Sequence, residues 1–138
     1  MLEASLPREL LLHGTILFLL GLLNGVLVQR FPNPRMGLSA HLAGVQNALV
    51  LWAFGLIWPH LKLQLLSQRF AAWAAISSMY AIWLALILAA AWGTSRSTPI
   101  AGAGHSASGG KELTVTVLIV FGSLAIIVAT VFVLCGLI

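Results

Sequence analysis

Four apolar runs, each long enough to cross a lipid bilayer, dominate this chain of 138 residues. They cover approximately residues 10–28, 39–58, 70–92 and 113–138. A hydrocarbon core of about 30 Å is crossed by about 20 helical residues, and an unclosed strand cannot satisfy its backbone in lipid. Only 7% of the residues are charged, whereas soluble domains carry about 25%. The sequence therefore predicts an all-α integral membrane protein, a single domain that forms a bundle of four transmembrane helices.

The basic residues are too dispersed to form a nucleic-acid surface. Seven Lys and Arg give a formal net charge of +4, but they fall one or two to a loop, as membrane anchors do. They nearly balance across the membrane, so the positive-inside rule does not fix the orientation. The single cysteine, Cys135, excludes an internal disulfide. The first run is too long for a signal-peptide core, and we expect it in the mature protein.

Carboxylates are almost absent from the chain, and this excludes several functions. There is no Asp, and Glu3, Glu9 and Glu112 lie outside or at the edge of the apolar runs. A proton-coupled exporter needs a carboxylate inside the membrane. Paired-carboxylate hydrolases and carboxylate-rich di-iron bundles need more than one. The sequence therefore argues against all three classes.

A polar segment, residues 33–47, leads into the second apolar run. A proline and a glycine in residues 33–38 break the preceding structure, and Ser39 is the predicted N-cap of the helix that follows. Imidazole and carboxamide groups are costly in hydrocarbon unless they have a partner. Three such side chains lie within two turns of this helix, namely His41, Gln46 and Asn47. This segment is therefore the predicted site of chemistry.

The other histidines have simpler explanations. We expect His60 at the membrane interface and His105 in solvent, within a Gly/Ser-rich loop over residues 93–112 that is the least ordered part by composition. His13 lies in the first turn of the first span, where it either packs at the lipid interface or contributes to the site. His41 lies about one turn inside its span, where a purely structural explanation is weakest.

A single buried imidazole favours haem over zinc. Zinc needs three or four Cys, His or carboxylate ligands, whereas haem iron needs one proximal histidine and an apolar pocket. Small residues near His41 would let a flat ring approach, or equally another helix; they are Ala40, Ala43, Gly44 and Ala48.

His41 and Asn47 do not share a helix face. Six residues correspond to about 120° around a helix and about 9 Å along it. One helix would therefore present His41 to one neighbour and Asn47 to another. We expect the active site to lie between subunits, because four short helices enclose little interior of their own.

Several motifs resemble the bacterial hydroxylaminobenzene mutases. The most specific is NPRMGLSAH at residues 33–41; LHGTILFLLGLL at 12–23, GLIWPH at 55–60 and YAIWLA at 80–85 extend the likeness over all four spans. These membrane enzymes rearrange hydroxylaminobenzene to 2-aminophenol. A more distant likeness is to styrene oxide isomerase, a four-helix membrane trimer with haem b between subunits, whose ferric iron acts as a Lewis acid.

The resemblance assigns roles to individual residues. It implies that His41 is the axial haem ligand, with Gly44 beside the cofactor, and that Asn47 and Tyr80 hold the substrate oxygen. His13 and Trp83 are secondary candidates. The mutases often have Asn where this chain has Ile82, which would alter substrate scope. The resemblance further implies a small aromatic hydroxylamine as substrate, a homotrimer and a multi-pass location in the bacterial inner membrane.

This chemistry agrees with the near absence of carboxylates. Moving a hydroxyl from nitrogen to carbon is redox-neutral, and a metal polarises the oxygen without a side-chain acid. Aromatic rings could face a cationic intermediate, although in the membrane such residues more often pack or anchor. The rings in question are those of Trp52, Tyr80 and Trp83.

Two alternatives remain open from the sequence. One is a small membrane cytochrome with His13 and His41 as haem ligands. Antiparallel spans would separate these imidazoles by about 20 Å within a chain, which disfavours it. The other is a transporter or a structural subunit, and the missing intramembrane carboxylate argues against proton coupling.

Overall fold

The computed structural model describes residues 5–138, and helices form nearly all of it. In chain order they are α1 (Ser5–Leu27), α2 (Pro34–Ile57), α3 (Leu65–Trp92), the one-turn α4 (Pro99–Gly102) and α5 (Gly109–Leu137). The four long helices are long and apolar enough to cross a membrane, which confirms the all-α prediction with four spans. Each begins four or five residues before its apolar run, because helical hydrogen bonding continues through the polar residues at the membrane surface. Glu3 lies outside the described residues.

Asn33, and not Ser39, caps α2. The Asn33 side chain accepts a hydrogen bond from the backbone N–H of Met36 at 3.1 Å, and Pro34 occupies the first helical position, where a missing N–H costs nothing. The Ser39 hydroxyl instead donates to the Arg35 carbonyl at 3.2 Å, inside the helix. The predicted cap was therefore wrong. His41 lies about two turns inside α2 rather than one.

Asn33 also joins three segments of the chain. Its side-chain amide donates to the carbonyl of Ala101 in α4 at 2.9 Å. Its backbone N–H donates to Ala90 near the end of α3 at 3.2 Å. The residue is only 2% exposed, so its donors and acceptor need these partners.

The segment between α3 and α5 is ordered, contrary to expectation. Gly93 ends α3 with φ 69°, a left-handed conformation that glycine adopts without strain. The Glu112 carboxylate then accepts backbone N–H bonds from Ser95 and Arg96, the shortest at 3.0 Å. His105 is partly buried and donates from Nε2 to the Pro32 carbonyl at 3.3 Å. Composition alone missed these partners because they come from distant parts of the chain.

The long helices form a row rather than a closed square. α2 packs on α1 and α3, and α3 packs on α2, on α5 and, less extensively, on α1, so α1 and α5 lie at opposite ends. Small side chains let the backbones approach, as at Gly122, where a Cβ would come within 2.6 Å of Ile82. Among the four long helices, α3 has the most buried apolar segment, whereas most of the α5 surface faces outward. An open, mostly apolar groove of about 780 Å³ runs between α3 and α5 and includes Trp73 in its lining.

Replacing Asn33 by Ala should destabilise the protein, whereas Ser39→Ala should not. The first change removes an N-cap, worth about 1–2 kcal/mol, and also the bond to Ala101. The second removes only a bond within the helix, and we expect a change within about 0.5 kcal/mol. Thermal unfolding in detergent measures both. Equal losses would show that Asn33 is not the cap.

Candidate active site

His41 packs against α1, and its hydrogen bond fixes the tautomer of the ring. Nδ1 lies 2.8 Å from the Gly21 carbonyl oxygen. Because a carbonyl only accepts, Nδ1 carries the hydrogen, and Nε2 carries the lone pair. Nε2 makes no hydrogen bond within residues 5–138. Gly25 provides room for the ring, since a Cβ there would lie 2.7 Å from Nδ1.

Gly44 lies where three helices meet. A Cβ on Gly44 would come within 2.7 Å of Gly21 Cα on α1 and 3.0 Å of Trp83 Cδ1 on α3. The Trp83 Nε1 is buried beside it, with no hydrogen-bond partner in the described part of the chain. The structure thus shows Gly44 packing helices, and its contact with a cofactor stays a prediction.

Asn47 faces α3, whereas His41 faces α1. The Asn47 carboxamide donates to the Met79 carbonyl on α3 at 2.9 Å. This confirms that the two side chains leave α2 on different faces. Gln46, the third polar residue of this stretch, is exposed on the single chain.

Tyr80 and His13 are joined, although 67 residues separate them in sequence. The Tyr80 hydroxyl donates to the His13 carbonyl at 3.2 Å and lies 3.3 Å from its Nδ1. The Trp73 ring packs edge-on against the imidazole at 5.8 Å. A Glu9 carboxylate oxygen lies 4.0 Å from Nε2, one helical turn earlier. His13 is therefore partly buried and is held against α3 by these contacts.

His41 and His13 each belong to a separate cluster within one chain. The His41 cluster contains His41, Gly21 and Gly25; the His13 cluster contains Glu9, His13, Trp73 and Tyr80. His13 and Gly21 are eight residues apart on α1, which places the clusters about 12 Å apart along the helix. This separation is shorter than the expected value of about 20 Å, but it still disfavours ligation of one iron by both histidines of one chain. Trp52, the remaining aromatic candidate, donates to the Leu11 carbonyl at 3.2 Å and serves helix packing.

Four residues of these clusters were not predicted from the sequence. Gly21 and Gly25 form a GxxxG spacing, a pattern typical of close helix contacts. Glu9 and His13 have the i, i+4 spacing of helix neighbours, and this spacing also could have been noticed. No sequence pattern indicates that Trp73 contacts His13, because only the packing of α3 against α1 brings the two residues together. Within residues 5–138 no group of three or more His, Cys, Asp or Glu could hold a metal ion.

Gly44→Ala should destabilise the helix packing, whereas Gly110→Ala should not. The new methyl group on Gly44 would meet backbone atoms of Gly21, and overpacking costs about 1–3 kcal/mol. Gly110 has nothing within 4 Å of an added Cβ, so its variant should be neutral or slightly more stable. Unfolding in detergent measures both. A neutral Gly44→Ala would contradict the contact.

Comparison with known proteins gives a consistent family. The profile of the family described as "Styrene oxide isomerase" matches residues 6–138. Hydroxylaminobenzene mutase HabB of Ectopseudomonas oleovorans is 43% identical over 98% of this chain and 83% of its own. Hydroxylaminobenzene mutase HabA of the same organism is 44% identical over 77% of this chain and 79% of its own. No solved structure matches significantly. The chain therefore belongs to the styrene oxide isomerase family, and it is an enzyme of the isomerase class.

Proposed function

We propose that this protein is a mutase that rearranges hydroxylaminobenzene, or a close arylhydroxylamine, to the 2-aminophenol. It would act as a homotrimer in the bacterial cytoplasmic membrane, with ferric haem b held by His41 where two subunits meet. The substrate class is supported by the two mutase relatives, which cover most of the chain. The observation that carries the site assignment is the bond from His41 Nδ1 to the Gly21 carbonyl.

The surroundings of His41 fit a histidine that would hold haem iron. A ligating histidine usually donates from its second nitrogen to a carbonyl or carboxylate, which orients the ring and raises its basicity. His41 makes this bond at 2.8 Å, and its Nε2 is left with a lone pair. The glycine at position 25 leaves room for the ring without displacing α1. When bound, ferric haem supplies a Lewis acid that weakens the N–O bond of the substrate.

Asn47 and Tyr80 are suited to hold the oxygen that moves. The Met79 carbonyl fixes the Asn47 carboxamide through one of its N–H groups, so the orientation of the second N–H is settled before substrate binds. The Tyr80 hydroxyl has only long hydrogen bonds to His13 and can turn toward a new acceptor. Tyr80 packs against the apolar core, which would limit the access of water, and water would divert the intermediate to other products.

A site shared between subunits accounts for the separation of the two clusters. His41 and Tyr80 belong to clusters about 12 Å apart along α1, so they do not meet within one chain. Contact between His41 of one subunit and Asn47 and Tyr80 of the next would bring them to a common substrate. The outward-facing surfaces of the row leave room for such contacts.

An absorption spectrum of the purified native protein tests the haem assignment. We expect a Soret band that remains in His60→Ala and disappears in His41→Ala together with the mutase activity. His60 is exposed and lies in the turn after α2, outside both clusters. Full activity in haem-free protein would refute the Lewis-acid mechanism and leave only the reaction class. Redox cycling with a six-coordinate, low-spin spectrum would instead favour a cytochrome.

Mixed oligomers test whether subunits share the site. Chains with His41→Ala and chains with Asn47→Ala should each be inactive alone. When the two are coexpressed and purified together through different tags, activity should partly return, because one kind of interface combines an intact His41 with an intact Asn47. Two differently tagged His41→Ala chains provide the control. No recovery in the mixed oligomer would place the whole site within one chain.

A further inference from the structure

The contacts of His13 exceed what a packing histidine requires. The Tyr80 hydroxyl lies 3.3 Å from Nδ1, and a Glu9 carboxylate oxygen lies 4.0 Å from Nε2. The edge-on rings of Trp73 and Tyr80 hold the imidazole at 5.8 and 5.7 Å. The ring therefore has a phenol at one nitrogen and a carboxylate near the other.

This arrangement prepares His13 to accept a proton from Tyr80. At 4.0 Å from Nε2 the Glu9 carboxylate is too distant for a hydrogen bond, but its negative charge favours the tautomer with hydrogen on Nε2. Nδ1 then presents its lone pair to the Tyr80 hydroxyl, whose hydrogen is shared with the His13 carbonyl. Transfer of that hydrogen to Nδ1 would place a positive imidazolium beside Glu9, and opposite charges attract more strongly in a partly buried site than in water.

The rearrangement requires such a transfer. The N–O bond breaks and a C–O bond forms at the ortho carbon, which then carries both a hydrogen and the hydroxyl. The ring becomes aromatic again when this hydrogen leaves as a proton and the nitrogen takes one up. Atoms and electrons balance without an oxidant or a reductant. A group that receives one proton and returns one completes the cycle.

We propose that His13, acting through the Tyr80 hydroxyl, receives the proton that leaves the ortho carbon and returns a proton to the substrate nitrogen. Tyr80 passes its own proton to Nδ1 as it takes up the ring proton, and Glu9 stabilises the imidazolium. His13 is thus a positioning residue that acts through Tyr80. This inference rests on the proposed function and adds the path of the proton to it.

His13→Asn tests the proton transfer, with His60→Asn as the matched control. Asparagine can still hydrogen-bond to Tyr80 but cannot accept a proton. We expect an unchanged KM and a kcat lower on the order of 10²-fold. The kinetic isotope effect with ring-deuterated hydroxylaminobenzene should also increase, because proton removal becomes slower. His60→Asn should change none of these. Native kcat in His13→Asn, or a lowered kcat with an unchanged isotope effect, would overturn the proposal.

The single tyrosine of the chain provides a second readout. Protein labelled with ¹³Cζ-tyrosine gives one NMR resonance, from Tyr80, which we expect to shift in His13→Ala but not in His60→Asn. An unchanged resonance in His13→Ala would show that the two residues are not paired. A native protein that does not rearrange hydroxylaminobenzene would overturn the proposed function and the proton transfer with it, whereas failure of the His13 tests alone would leave the proposed function standing.

Discussion

The close approach of Gly21 to Gly44 determines the geometry of the first two helices and of the candidate site. No side chain separates the backbones there, since a Cβ on Gly44 would lie 2.7 Å from Gly21 Cα. Only at this distance does His41, one turn before Gly44, reach the Gly21 carbonyl. Trp83 closes the other side of Gly44. In lipid, where apolar surface gains little from burial between helices, such close packing and interhelical hydrogen bonds must hold the helices together.

At the end of the protein where α2 begins, the structure is held by hydrogen bonds that satisfy buried polar groups. Asn33 caps α2 and bonds to α4 and to the end of α3. The Glu112 carboxylate accepts hydrogen bonds from the backbone N–H groups of Ser95 and Arg96, which follow α3. These two side chains convert a Gly/Ser-rich connection into a fixed cover on the helix ends, because an unpaired buried donor or acceptor costs more than ordering the loop.

The distribution of polar groups inside the spans suits a redox-neutral isomerisation. Each cluster pairs a histidine with fixed oxygen atoms, and no carboxylate lies in the middle of a span. The His41 cluster offers a nitrogen lone pair, whereas the His13 cluster offers a phenol, an imidazole and a carboxylate in series. In the proposed mechanism the first cluster would hold the Lewis acid and the second would move a proton, and a hydroxyl migration that ends in an aromatic ring needs both.

The sequence by itself determined the four helices, because a bilayer allows apolar runs of this length almost no other structure. It also determined that His41 and Asn47 leave α2 on different faces, since the angle between them follows from the helical repeat. The cap of α2 was mistaken because Asn33 and Ser39 are both good caps, and only the burial of Asn33 against Ala101 and Ala90 selects it. The pairing of His13 with Tyr80 was decided by the tertiary structure alone. Residues 67 positions apart in sequence meet only through the way that α3 packs against α1, and no local pattern encodes that packing.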